Sequence, residues 1–462
     1  MDARRQIVTF VFMFGFIVLW MNVAPRLFPQ FFPKPQPKPN VAQPADPDAG
    51  PRPVGDAGIN GDDQNIEGNE PAIAGDPDDA TVAGPDAPAP AEAPQTAKLP
   101  EFLAREIPLG DAKAGFLQEL MLTTRGAAIE WQRLTEKDYV EVDRSGPLKL
   151  LGNGEPTTLR TLAVSTTAFD DGLEQAGKSL ASVDWEFVEK SSERIPDSDA
   201  WQKVVFRYPS PNGQWEAIKT FAVKSGQEID PETDPQGYLV DVTLTFRNLG
   251  DQPATLTYDL QGPVGLPIDF PETDRYFREV EAGTLEDPSD PDDVSHVQYT
   301  AAGLVSEVAD AKEKQALPPS WTYPVKWAGV DVQFFATLLI PAENQLEDRN
   351  GDGKPDAYFK AVQPTVVAET AESQHSDISL LFRSNPVQVG VGANNEVTHT
   401  FQIFLGPKRA KLLKTFEAED VISFGWFSFI SKLMLGLLNF FHHSLLLPYG
   451  IAIILLTVVV QA

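Results

Sequence analysis

Val240-Asp-Val-Thr-Leu-Thr-Phe-Arg247 decides the fold. Val240, Val242, Leu244 and Phe246 alternate with Asp241, Thr243, Thr245 and Arg247, the period-2 pattern of a strand with one apolar and one wet face. Turn residues Asn248-Leu-Gly-Asp-Gln-Pro253 follow, and the alternation resumes with Ala254, Leu256, Tyr258 and Leu260 against Thr255, Thr257 and Asp259. That spacing predicts a hairpin. Working outward, residues 120–130, 204–208, 215–224, 332–340, 378–382 and 397–405 predict further strands, with few helical stretches between them. Residues 101–420 therefore read as mainly β, one large antiparallel sandwich.

Both flanks differ in composition. Residues 25–100 hold 17 prolines and 12 acidic residues, with hardly an aromatic after Phe32. Such a segment cannot bury enough apolar area to offset its ordering entropy, which predicts a disordered, partly extended and protease-sensitive tether. Residues 7–24 carry no charge and follow Arg4 and Arg5; a helix of that length covers roughly 27 Å, about one bilayer core. The apolar h-region of a cleaved signal peptide is only about 7–15 residues long. Here Leu19, Trp20 and Met21 extend the run, so residues 1–24 read as an uncleaved transmembrane anchor. Arg4 and Arg5 on one side face Arg26, Lys34 and Lys38 on the other, so charge counting leaves orientation open.

At the other end, residues 421–462, the period changes again. Ser428, Ser431, Lys432, Gly436, Asn439, His442 and His443 recur at helical spacing among Phe, Trp, Leu, Ile and Met. A helix with so narrow a polar stripe belongs at a membrane surface or between membrane helices. Pro448 and Gly450 break it, and Ile451-Ala-Ile-Ile-Leu-Leu-Thr-Val-Val-Val460 opens a second apolar helix, with Pro448 tolerated in its first turn. From Gly450 to Ala462 that helix covers only about 20 Å of a bilayer core of about 30 Å.

Composition excludes several functions. A net charge of −29, from 66 acidic and 37 basic residues, lacks the basic face that nucleic acid requires. With no cysteine there are no disulfides, thiolate metal sites or cysteine nucleophiles. None of the five histidines, His296, His375, His399, His442 and His443, sits in a metalloprotease or Ser-centred pattern. Asp348, Asn350, Asp352 and Asp356 occupy positions one, three, five and nine of an EF-hand-like loop, but position twelve is Phe359. A bidentate Glu belongs there, so any calcium binding is expected to be weak. The Asn-Gly and Asp-Gly pairs make a polar hairpin tip the preferred reading. No other cofactor is indicated, and no enzymatic site stands out.

Anchor, acidic tether, β-region, then Phe424-GWFSFISKLMLGLLNFFHH-Ser444 and Pro448-YGIAIILLTVVV-Gln461 occur in that order. Within the β-region stand Leu122-TTRGAAI-Glu130, Val242-TLTFRNL-Gly250 and Phe404-LGPKRAKL-Leu413. The whole resembles the front part of the bacterial YidC membrane insertases of the YidC/Oxa family. The resemblance implies a galactose-mutarotase-like supersandwich in the periplasm, held between an amino-terminal transmembrane helix and a carboxy-terminal amphipathic helix plus a truncated transmembrane helix. It implies residence in the bacterial inner membrane with a cytoplasmic amino terminus. The interfacial helix, carrying Trp426, Phe429, Lys432, Leu433, Phe440 and His442, would lie along the outer membrane face.

The implied function is that of an insertase and chaperone rather than a catalytic enzyme. Its implied partners are nascent membrane proteins, the Sec translocon and the lipid bilayer, and its groove carries one positive charge that lowers the cost of moving polar groups into hydrocarbon. In the family that charge is an arginine in a pattern like I-I-x-x-T-x-x-V-R-G. Here Gln461 stands at the arginine and Ala462 at the glycine. Glutamine keeps hydrogen-bonding capacity but not charge, and a split, frameshifted or incomplete coding sequence is the simplest expectation for it. Two other functions are weighed beside the insertase. One is a membrane-tethered periplasmic module binding protein or carbohydrate; the other is a mutarotase-like sugar enzyme, which would need His and Glu converging in a cleft.

Overall fold

A computed structural model describes residues 99–152, 158–268, 278–286, 293–346, 356–422, 428–445 and 447–461. All belong to the unit Pro90–Ala462. The residues of the expected anchor, 1–24, lie outside them, as do those of the tether up to residue 98.

The strands in chain order are β1 (Glu106–Leu109), β2 (Gln118–Thr123), β3 (Ala128–Leu134), β4 (Lys149–Leu151), β5 (Val164–Ser165), β6 (Glu186–Phe187), β7 (Glu193–Arg194), β8 (Trp201–Pro209), β9 (Trp215–Val223) and β10 (Leu239–Asn248). There follow β11 (Ala254–Leu256), β12 (Asp259–Gln261), β13 (Glu279–Leu285), β14 (Val294–Thr300), β15 (Val325–Asp331), β16 (Phe335–Pro341), β17 (Phe359–Ala368), β18 (Asp377–Ser384), β19 (Val387–Val389) and β20 (Glu396–Pro407). The fold is thus mainly β. One large sheet runs β14-β13-β15-β16-β20-β10-β9-β8-β1-β2-β3-β4, with β6 and β7 also paired to β8. Apart from one parallel contact between β1 and β8, its pairings are antiparallel. A second sheet runs β17-β18-β12-β5, and β11 pairs with β19.

The alternation at Val240–Arg247 is the middle of β10, the central strand of the large sheet. Its apolar residues face the second sheet: Phe246 meets Tyr258 with ring centroids 5.3 Å apart. From the neighbouring β20, Phe401 stacks on Phe359 at 5.6 Å. These rings belong to one continuous buried cluster shared by both sheets.

Two local readings require correction. The hairpin expected across Asn248–Pro253 does not form. Strand β10 is already paired on both edges, to β9 and to β20, so no edge remains for the strand after the turn. Asn248 instead closes the strand, its Nδ2 donating to the carbonyls of Gln252 (2.7 Å) and Gly390 (3.1 Å). The chain then leaves the sheet, β11 pairing with β19 and β12 with β18 and β5. Residues 120–130 likewise form two antiparallel strands, β2 and β3, rather than one. Gly126 (φ +68°) and Ala127 (φ +45°) turn the chain between them; a Cβ on Gly126 would sit 2.5 Å from the Ala181 carbonyl oxygen.

Sequence periodicity also missed the helix α1 (Ala301–Glu313), capped by the Thr300 hydroxyl accepting from the Gly303 amide. After β20 come α2 (Ser428–Asn439), a π-helical turn at Phe440–Ser444, and α3 (Tyr449–Gln461). Among the described residues no helix is long and apolar enough to cross a membrane.

Candidate functional site

The segment that leaves β20 toward α2 starts with Pro407-Lys-Arg409 and crosses the face of the large sheet turned away from the second sheet. Register shows which face this is. Asp241 pairs with Gln402 and Leu239 with Phe404, so Gln402 and Phe404 lie opposite in phase to the inward Phe401. Carried across β16 and β15, the same phase puts Leu338, Gly329, Trp327 and Asp331 on the outward face; across β13 it adds Glu279, Glu281 and Gly283.

Alternation would leave this face wet, yet residues 408–422 cover much of it. Leu412, Leu413, Ala418 and Val421 are buried in the main cluster, and Phe416 packs on Phe404 with centroids 5.8 Å apart. The Trp327 indole donates to the Glu417 carbonyl (3.3 Å), and Lys326 pairs with the Glu417 carboxylate. Glu417 takes φ +55°, which lets the Ala418 amide reach back to the Leu413 carbonyl at 3.0 Å, a helix-ending pattern. Arg409 ties the start of the segment down, donating to the Pro231 carbonyl at 2.6 Å and pairing with Glu232 at 3.2 Å. A cleft of about 380 Å³ opens beside this junction, with Asp241, Lys326, Thr400, Gln402 and Phe416 in its wall.

Beneath the junction lies a charged cluster. Lys408 Nζ donates to Asp331 Oδ2 at 2.5 Å and to the Val421 carbonyl at 3.3 Å. His296 Nε2 lies 2.7 Å from Glu281 Oε2. Burial pushes Glu281 up to about 8 and Asp331 well above the carboxylate range, raises Glu279, and lowers His296. Periodicity missed this site, although Glu279-Val-Glu281 carries its signal: two acids at strand spacing beside apolar neighbours.

The expected site residues disperse. Asp348, Asn350 and Asp352 lie outside the described residues, and only Asp356 of that loop is described. Trp426 is likewise outside; Phe429, Lys432 and Leu433 fall on α2, and Gln461 ends α3. Phe440 is exposed. His442 Nδ1 donates to the Leu447 carbonyl (2.8 Å), and its ring stacks on Tyr449 at 3.8 Å, fastening the turn between α2 and α3. Phe441, Ala452 and Leu456 form a small core there, while Leu435, Leu445, Ile451, Ile453, Ile454, Val458 and Val459 stay exposed. Of the other histidines, His399 stacks between the sheets on Tyr358 at 4.0 Å, and His375 lies 3.5 Å from Glu372. Among the described residues no histidine lines the junction cleft. His296 and Glu281 do meet, but Glu281 is buried in the sheet rather than displayed in that cleft.

The described domain is a large antiparallel β-fold whose last strand, β20, leads into a segment packed across the sheet, with the apolar helices α2 and α3 following in the chain. The chain belongs to the YidC periplasmic domain family, whose family model matches residues 117–437. Similar curated proteins include the membrane protein insertase YidC of Nitratidesulfovibrio vulgaris, 40% identical over 210 residues, covering 44% of this chain and 34% of that one. That of Syntrophobacter fumaroxidans is 24% identical over 238 residues (49% and 35%), and that of Endomicrobium trichonymphae 28% over 138 residues (29% and 22%). The matched stretches thus span from about a fifth to a third of those relatives' length. Among solved structures, a galactose mutarotase related enzyme from Lactobacillus acidophilus aligns at TM-score 0.38 and 8% identity over 65% of this chain and 97% of its own. A galactose mutarotase-like protein from Lactobacillus casei aligns at TM-score 0.37 and 10% identity, over 65% and 100%.

Proposed function

We propose that this chain works in a bacterial inner-membrane insertase that helps integral membrane proteins enter the bilayer and fold. The β-domain would lie in the periplasm and α2 and α3 in or along the lipid, with nascent membrane proteins and the Sec translocon as partners. The carrying observation is the family match, which extends over residues 117–437, from the sandwich past the junction into α2. The exposed apolar side chains of α2 and α3 support it, since surface of that kind is stable only against lipid or another apolar chain. In this reading the junction holds the β-domain in a defined relation to the helices that receive substrate, and catalysis in the enzymatic sense plays no part.

The test is site-specific photo-crosslinking in cells translating a small insertase-dependent membrane protein, with the crosslinker at Phe440 or Ile454. Crosslinks to the nascent chain from both positions are expected. The junction cleft favours one other reading, a membrane-tethered binding module. Crosslinks to a folded protein from Gln402, with none to the nascent chain from Phe440 or Ile454, would establish that reading instead.

A further inference from the structure

The carboxylates under the junction have no role in the reading above. Glu279 and Glu281 are two residues apart on β13, and Asp331 pairs directly with Glu279 on β15, so one face carries all three. One carboxylate oxygen of each lies within 4.8 Å of the others. Acids that merely share a wet surface would be solvated, but Glu281 and Asp331 are 1% and 2% exposed. Each also keeps an oxygen, Glu281 Oε1 and Asp331 Oδ1, with no hydrogen-bond donor among the described residues. Native proteins rarely leave such buried oxygens unmet.

Lys408 brings one ammonium to Asp331. With all three carboxylates ionised, as metal ligands must be, the one ammonium leaves two negative charges, the charge of one divalent cation. Oxygens bound to one Ca²⁺ at about 2.3–2.6 Å lie no more than about 5 Å apart, so the spacing suits a single ion. An all-carboxylate donor set favours hard cations.

We infer that Glu279, Glu281 and Asp331 form a binding site for one divalent cation of the Ca²⁺, Mg²⁺ or Mn²⁺ class. The site lies under the junction, which Lys408 joins to it through Asp331 and the Val421 carbonyl. The cation therefore tightens the hold of residues 408–422 on the sheet.

The test uses the full chain in detergent, carrying Asp352→Asn so that the loop at 348–356 does not contribute, stripped with EDTA and titrated calorimetrically with CaCl₂, MgCl₂ and MnCl₂ in turn. Binding of one ion per chain by at least one salt is expected, weakened at least tenfold by Glu281→Gln or Asp331→Asn. Amide exchange across 408–422 should slow when the ion binds. Absence of saturable binding with all three salts would overturn the inference, as would affinity unchanged by Glu281→Gln. Should the buried variants not fold, the partly exposed Glu279→Gln decides: a tenfold loss supports the site and an unchanged affinity refutes it.

Discussion

Lys219 shows how one residue can hold several local conformations at once. It sits on β9 in phase with Trp215, Ala217, Phe221 and Val223, on the buried face. Its Nζ donates to the carbonyls of Leu162 (2.6 Å), Ala127 (3.1 Å) and Gly126 (3.3 Å) and lies 5.3 Å from the Trp185 ring centroid. As an ammonium the side chain has one donor for each of the three acceptors; once deprotonated it keeps two. Two of them belong to non-glycine residues at positive φ, Ala127 and Leu162 (φ +67°), a region that L-residues enter at a cost. Lys219→Met would leave the three carbonyls unmet at about 1–3 kcal/mol each. Relief of the buried charge offsets part of that, so urea denaturation should report a net loss of about 2–4 kcal/mol.

A pH dependence accompanies this. Burial pulls Lys219 down to about 7 from its ordinary value of 10.5. Between those values the unfolded chain carries a proton that the folded chain has released, so stability rises with pH through this window, by at most about 1.4 kcal/mol per unit. The stability difference between wild type and Lys219→Met, measured at pH 7.5 and 9.5, isolates this residue from the buried acids, whose contribution has the opposite sign. The advantage of the wild type should grow at pH 9.5; a constant difference would refute the assignment.

At the scale of elements, the junction carries the prediction. Leu412 and Leu413 are fully buried on a segment that packs against the sheet beneath it. Leu413→Ala should cost about 2–5 kcal/mol, as other large-to-small core changes do, and the loss should appear in the thermal midpoint. It should also raise amide exchange across 408–422 before the sandwich itself opens, because local segments open below the global free energy. Uniform exchange throughout the domain would show instead that junction and sheet unfold as one unit. The missing hairpin after β10 belongs to this scale too. Turn chemistry at Asn248-Leu-Gly was legible, but which strand lies beside β10 depended on β9 and β20, one nearby and one about 150 residues away.

For the whole molecule, the boundary of the folding unit follows from burial. A fragment of residues 99–422 should be a soluble, β-rich monomer with a cooperative transition, because its sheets share one large buried cluster. A fragment ending at residue 407 strips the cover from Phe404 and Trp327 and leaves Asp331 without Lys408. It should unfold at markedly lower denaturant and bind hydrophobic dyes. Circular dichroism and light scattering of the two fragments check this; equal stability would mean that the junction adds nothing to the fold.

The sequence by itself determined the class of this protein. Alternation at Val240–Arg247 is a property of neighbouring residues, so it survives in one dimension, and the strands at 204–208, 215–223 and 397–405 were legible for the same reason. Ordered motifs did the same for the family. Only the tertiary structure decided the pairing of β10, the descent of β11 and β12 into the second sheet, and the use of an outward face to seat residues 408–422. It also decided that Glu279, Glu281 and Asp331 meet, since strands distant in sequence become neighbours through backbone hydrogen bonds whose partners no local pattern specifies. Period-2 reading assigns polar outward residues to water, and it fails wherever another part of the chain folds back to exclude that water.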